Sequence, residues 1–257
     1  LHLSLRRQRQ MCIRDRDWAG RDYLIKQLKE LNLTLRYDEF GNVIGRYEGK
    51  NPDVPAIMTG SHTDSVPQGG NYDGLAGIAA ALEVITDLKE TNTHLNHPLD
   101  IVLFMCEESS RFGSATLGSQ AMRGQLSRER LQTLCDKKGL SLYDVLKERG
   151  FNPDIIPQSK FTTPLKAFLE LHIEQGIVLE KTNHTIGIVT GIAASTRYKI
   201  HIHGTAGHSG ATPMNHRHDG LCAAAEIILA AEQIAQNSEP IPVSYTHLRA
   251  HETGAYL

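Results

Sequence analysis

The side chains best suited to chemistry lie between Gly60 and Gly77, in the run Gly-Ser-His-Thr-Asp-Ser-Val-Pro-Gln-Gly-Gly-Asn-Tyr-Asp-Gly-Leu-Ala-Gly. His62, Asp64 and Asp73 offer the imidazole nitrogen and carboxylate oxygens that a divalent cation takes as ligands. His62 and Asp64 are two apart, so on an extended chain they point the same way. If His62 is a ligand, Asp64 can take its other ring N–H and fix the tautomer. Asp73, in the tight Gly-Gly-Asn-Tyr-Asp-Gly turn, can fold back toward His62. The stretch also fits an anion-binding turn or an ordinary loop. It contains neither G-x-x-x-x-G-K-[ST] nor G-x-G-x-x-G, which disfavours a phosphate cradle.

A second chemical signal is Glu107-Glu108, directly after the apolar run Asp100-Ile-Val-Leu-Phe-Met-Cys106. Two adjacent carboxylates repel, and one pKa rises unless a cation lies beside them. With a metal present, one can be a ligand while the other takes a proton from an activated water. An isolated Glu-Glu pair is more often a solvated acidic loop. The ensemble shifts that balance, because His62, Asp73, Glu108 and His172 each fall at the end of a separate predicted strand or in its turn. Nitrogen and oxygen donors without cysteine suit zinc, manganese or cobalt at a hydrolytic site.

The elements that must position these groups can be read from periodicity. Asp17 to Asn32 is an amphipathic helix with Trp18, Tyr23, Leu24, Leu28 and Leu31 on its apolar side. Leu33 to Tyr37 and Asn42 to Tyr47 are strands joined by Asp-Glu-Phe-Gly, a hairpin. Pro55 to Gly60 is a buried strand, Leu75 to Leu88 an Ala-rich helix, and Asp100 to Cys106 a strand apolar on both faces. Thr91 to Pro98 is a polar loop that leaves His94 and His97 in solvent. Short helices are expected at Ser127 to Asp136, with a Ser-x-x-Glu-like start, and at Ser141 to Arg149. Lys166 to Ile173 alternates, with Phe168, Glu170 and His172 on one face. Further strands are expected at Ile186 to Ile192 and Arg197 to His203, then a long helix at about Asp219 to Ala235.

The 257 residues carry 40% hydrophobic and 22% charged side chains and a net charge of −2. These values describe a globular chain and give no electrostatic reason for nucleic acid or an anionic membrane as partner. No apolar run has the length of a membrane span. Cys12, Cys106, Cys135 and Cys222 form no C-x-x-C pair and no disulfide-like spacing, which points to the reducing cytoplasm. Cys106, Cys135 and Cys222 are read as buried thiols. Residues 1–16 and 244–257 resemble translated adapter sequence and are set apart as non-native tails, so the natural chain is expected to continue past Val243. His201 and His203 read as an exposed sheet face, and His216 and His218 as a surface turn. Ser109 and Ser110 lack the G-x-S-x-G setting of a serine nucleophile.

The motifs GSHTDSVPQGGNYDG, CEESSRFGSATLGS, ELHIEQGIVLE and GTAGHSGATPM occur in order. Together they resemble the amidase (hydantoinase/carbamoylase) branch of the aminoacylase/carboxypeptidase-like metallohydrolases, across Asp17 to Val243. That branch includes N-carbamoyl-L-amino acid hydrolases, β-ureidopropionases and allantoate amidohydrolases. The resemblance implies an α/β fold: a catalytic domain at 17–192, with helices around a mixed, largely parallel sheet, and the start of an α+β lid and dimerisation domain at 193–243.

It also implies two divalent ions per site, zinc first, with manganese or cobalt as alternatives. His62 and His172 would bind the first, Asp73 would bridge, Glu108 would bind the second, and Glu107 would be the general base. The remaining ligand to the second ion would be a histidine beyond this chain. Gln175 and His208 would contact a small ureido substrate, His208 at the developing oxyanion, with Asp64 behind the ligands. A homodimer through the lid is the implied assembly. On this reading the truncated chain is itself inactive. A peptidase or aminoacylase of the same superfamily, or a non-catalytic binding module, are the competing readings.

Overall fold

A computed structural model describes residues 15–67, 69–158, 160–192 and 198–238, with Asp15 and Arg16 described by backbone alone. The remainder of the terminal segments set apart above lies outside the described residues, as do residues 193–197. The chain divides into two compact units, Leu1–Ile177 and Val178–Leu257.

The first unit is built on a five-stranded mixed sheet. Helix α1 (Asp15–Glu30) precedes β1 (Thr34–Tyr37) and β2 (Val43–Tyr47), followed by β3 (Ala56–His62), α2 (Leu75–Glu90) and β4 (Leu99–Phe104). Three short helices follow, α3 (Leu117–Met122), α4 (Arg128–Thr133) and α5 (Leu142–Glu148), before β5 (Leu165–Leu169). The strand order is β1-β2-β4-β3-β5. β1 and β2 form the expected antiparallel hairpin and β2 pairs antiparallel with β4, whereas β3 runs parallel to both β4 and β5. The parallel centre follows from the β3–α2–β4 crossover, which returns the chain to the same end of the sheet.

Two apolar layers hold the sheet. Leu24 and Leu28 of α1 and Ile78, Ala81, Leu82 and Ile85 of α2 pack with Ile101 and Leu103 of β4. Val102, between those two, faces the opposite layer with Ile44, Met58 and Met122. β4 is therefore buried on both faces, as its unbroken apolar run requires. In the hairpin turn, Asp38 Oδ1 accepts the backbone N–H groups of Phe40, Gly41 and Asn42. Asn42 then joins this turn to the end of β4: its Oδ1 accepts the Met105 N–H at 2.9 Å, and its Nδ2 donates to the Gly118 carbonyl at 2.9 Å. The helices α4 and α5 begin at Ser127 and Ser141, whose hydroxyls accept the N–H groups of Arg130 and Asp144. Both are N-caps, and the one at Ser127 agrees with the capping-type start read from the sequence.

Among the described residues of the second unit, α6 (Val178–Lys181) and α7 (Gly220–Gln236) are the helices of more than three residues. α7 is capped by Asp219, which accepts the Leu221 and Cys222 N–H groups. The strands expected at Ile186 to Ile192 and Arg197 to His203 are not formed by the described residues, where Thr205–His218 is the isolated bridge. Alternation records which side chains share a face, but a strand also needs a hydrogen-bonded neighbour, and among the described residues none is paired with these segments.

The cysteine expectations also need correction. Cys106 is buried but disulfide-bonded, whereas Cys135 and Cys222 are free and exposed. Cys135 lies beyond the end of α4, where it bridges Ser141, and Cys222 lies in the first turn of α7. Spacing carries no pairing information by itself, and helical periodicity does not say which faces find a neighbour. Among the described residues no helix is long and apolar enough to cross a membrane.

Candidate metal centre

The expected ligands converge at the carboxyl ends of β3, β4 and β5, where open α/β sheets keep their sites. His62 is the last residue of β3. Asp73 stands two residues before α2, Glu107 and Glu108 follow β4 after a turn at Cys106 (φ 53°), and His172 lies three residues past β5. Two overlapping groups could each hold a cation: His62, Asp73 and His172, and His62, Glu107 and Glu108. Within them His62 and Asp73 are buried, both glutamates are half-buried, and His172 is exposed.

Both histidines present the same nitrogen to the centre. His62 Nδ1 lies 2.9 Å from the Asp64 carbonyl and His172 Nδ1 lies 2.8 Å from the Ile173 carbonyl. A carbonyl only accepts, so each Nδ1 carries a hydrogen and each Nε2 of a neutral ring keeps its lone pair. Those Nε2 atoms lie 3.7 Å (His62) and 3.2 Å (His172) from Asp73 Oδ1. The rings stack at 5.8 Å between centroids. Lone pairs on two imidazoles and a carboxylate oxygen, aimed at one another, repel unless a proton or a cation stands among them. The donor set therefore fits a divalent ion. Gln175, at φ 60°, donates its amide to the same Asp73 Oδ1 at 3.0 Å.

Asp64 does something different from what its spacing suggested. The nearest partner of His62 Nδ1 is the Asp64 main-chain oxygen, and the carboxylate Oδ1 is farther, at 3.7 Å. The carboxylate instead accepts two backbone N–H groups, from Glu107 at 3.1 Å and Glu108 at 3.0 Å. One buried side chain thereby locks the end of β3 to the loop after β4. Burial raises the Asp64 carboxyl pKa, opposed by His62 and these two N–H donors.

Electrostatic crowding marks the two glutamates. Glu107 Oε2 lies 3.8 Å from His62 Nε2. Its pKa is raised, first by desolvation and then by Asp64, Asp73 and Glu170, while His62 pulls it down. Glu108 is pushed up to about 7 by burial, by a hydrogen bond with Asp73 and by the surrounding carboxylates. Such a cluster of acids without a matching cation is what a bound divalent ion relieves.

Several supporting groups carry no motif. Gly74, at φ 66°, leaves no room for a side chain: a Cβ there would stand 2.4 Å from the His62 carbonyl oxygen. A Cβ on Gly77 would stand 2.3 Å from the Leu171 carbonyl oxygen. Glycine thus lets α2 press against both histidine-bearing segments. Ser61 donates to Glu170 at 2.5 Å and ties β3 to the segment leading to His172. Arg111 pairs with Asp136 at 3.2 Å and anchors the loop after the glutamates. In the second unit His208 is exposed and accepts the Gly210 N–H on Nδ1 at 3.1 Å. His201, His203, His216 and His218 are exposed there too.

Residues 58–253 match the model of Peptidase family M20/M25/M40. The chain belongs to this family. It is 42% identical over 218 residues to an N-carbamoyl-L-amino-acid amidohydrolase of Pseudomonas sp. (strain NS671), covering 84% of this chain and 52% of that protein. It is 37% identical over 228 residues to an allantoate amidohydrolase of Bacillus subtilis, covering 88% and 54%. The crystal structure of a hydantoinase/carbamoylase family amidase from Burkholderia multivorans superposes with a TM-score of 0.75 at 31% identity, over 90% of this chain and 56% of that one. The chain spans about half the length of the curated relatives it matches. The α/β sheet and its helices agree with this family's amidase fold.

Proposed function

We propose that the full-length protein hydrolyses a ureido or amide C–N bond in a small N-carbamoyl-amino acid or an allantoate-type compound, at a centre for two divalent ions. The observation that carries this reading is the convergence of His62 Nε2 and His172 Nε2 on Asp73 Oδ1, beside Glu107 and Glu108. The names of the amidohydrolase relatives support the bond class.

In this proposal His62 and His172 hold one ion, Asp73 is shared, and Glu108 belongs to the second. When bound, such ions polarise a carbonyl and make water acidic enough to attack it. Zinc fits the donor set best, with manganese or cobalt as alternatives. Glu107, half-buried and with its carboxyl pKa raised, is suited to take a proton from the attacking water and return it to the leaving nitrogen. Gln175 orients the substrate, and His208 donates to its carbonyl oxygen as negative charge develops there. For a carbamoyl substrate the products balance as an amine, carbon dioxide and ammonia. The division into a catalytic domain at 17–192 and a lid at 193–243, dimerisation through that lid and a cytoplasmic location belong to the same reading. So does inactivity of the 257-residue chain alone, since only Asp73 and Glu108 are assigned to the second ion within it.

The test is a direct comparison of substrates on the purified full-length protein loaded with zinc or manganese. Release of ammonia from N-carbamoyl-amino acids or allantoate, with little cleavage of dipeptides or N-acyl amino acids, is the expected outcome. Preference for a dipeptide or acyl-amide would replace the proposed substrate class, and failure to act on any of them would refute the enzymatic reading.

A further inference from the structure

One fully buried charge in the first unit has no place in the chemistry above. Arg21 lies on α1 at 0% exposure. Its Nη1 donates to Thr63 Oγ1 at 3.2 Å and to the Phe104 carbonyl at 3.4 Å, and its Nη2 donates to the Gly41 carbonyl. Thr63 sits between His62 and Asp64, and Phe104 is the last residue of β4, three positions before Glu107. The Thr63 hydroxyl in turn donates to Asp17 Oδ1 at 3.4 Å, one helical turn before Arg21 and itself buried. One planar guanidinium therefore reaches the hairpin turn and the ends of both central strands.

We infer that Arg21 is a positioning residue for the metal centre: it sets the spacing between the His62 end of β3 and the Glu107-Glu108 end of β4. This rests on the metal-binding part of the proposed function and not on the identity of the substrate. A wish for stability alone does not explain the residue, because a buried charge network is often no better than well-packed apolar side chains of the same volume. Its geometry does explain it. A fork of five N–H donors can hold three acceptors from three chain segments at fixed separation, whereas an ammonium is a point charge on a flexible stem. Asp64 clamps the two glutamate N–H groups, and Arg21 holds the strand ends.

The test uses cobalt(II) as probe on the full-length protein and its Arg21→Lys and Thr63→Val variants. Affinity is read by competition with a chelator and ligand geometry by the d–d absorption, with urea unfolding of the metal-free forms as the control for stability. Folded Arg21→Lys is expected to bind cobalt about 10–100-fold more weakly and with an altered spectrum. Thr63→Val, which keeps the Arg21–Asp17 charges and removes one acceptor, is expected to shift both in the same direction by less. A folded Arg21→Lys with wild-type affinity and spectrum overturns the inference, even if its urea midpoint falls. Should Arg21→Lys fail to fold, Thr63→Val decides: weaker, spectrally altered binding supports the inference, and unchanged binding overturns it. A wild-type protein that takes up cobalt but hydrolyses no ureido compound defeats the proposed substrate class and leaves this inference standing. One that takes up no cobalt defeats both.

Discussion

The carboxylate of Asp64 holds the backbone of Glu107 from 43 positions away, accepting its N–H at 3.1 Å. The other oxygen of the same carboxylate holds the Glu108 N–H at 3.0 Å. Two parallel donors need two acceptors. In Asp64→Asn one acceptor becomes an NH₂ group, which faces a peptide N–H donor to donor whichever way the amide turns. One glutamate then loses its anchor while the fold keeps its shape. Turnover is expected to fall by about 10–100-fold, with an unchanged circular dichroism spectrum. Steady-state kinetics at wild-type rate would show that the clamp has no bearing on the site.

Gly77 supplies a steric counterpart. A methyl group there meets the Leu171 carbonyl oxygen at 2.3 Å, and that oxygen belongs to backbone next to His172. Backbone cannot rotate aside as a side-chain tip can, so α2 or the 169–173 segment must move. Gly77→Ala is expected to lower unfolding stability by about 1–3 kcal/mol and to weaken metal uptake through displacement of His172. Equilibrium urea unfolding and a metal titration read the two effects separately.

Much of this arrangement is legible in the amino-acid sequence. The apolar run before Glu107, the glycine turn after His62 and the alternation through His172 each placed a donor at a strand end, and those ends meet. The supporting layer was not legible, because it depends on which backbone atoms approach a side chain. Spacing suggested the Asp64 carboxylate as the nearest partner of His62, and its carbonyl lies closer. Arg21 left a trace that periodicity could have caught. Asp17 and Arg21 continue the buried stripe of Leu24 and Leu28 at helical spacing, so two charged residues occupy core positions of α1. The strands expected at Ile186 to Ile192 and Arg197 to His203 illustrate the opposite case, since their pattern finds no strand partner among the described residues.

Glu107 and Glu108 are adjacent in sequence and separable by experiment. Glu107→Gln removes the proposed proton acceptor and keeps the volume. It is expected to cut kcat by about 10²- to 10⁴-fold with metal content nearly unchanged. Loss of metal together with turnover would make Glu107 a ligand and not the base.

Glu108 makes the stability of the metal-free protein depend on pH. Its carboxyl is pushed up to about 7 from an ordinary 4.5, by burial, the hydrogen bond with Asp73 and nearby carboxylates. Between those two values the folded chain keeps a proton that the unfolded chain has released, so this group's contribution falls as pH rises through the window. Glu107, raised in the same direction, adds to the slope. With chelator present, the urea midpoint is expected to drop between about pH 5 and pH 8, and Glu108→Gln should flatten part of that drop. A divalent ion reverses the sign by taking the place of the proton, so metal uptake is expected to release protons and to weaken below about pH 7. Midpoints that rise with pH in chelator, or a Glu108→Gln variant with the wild-type slope, would remove Glu108 as the source.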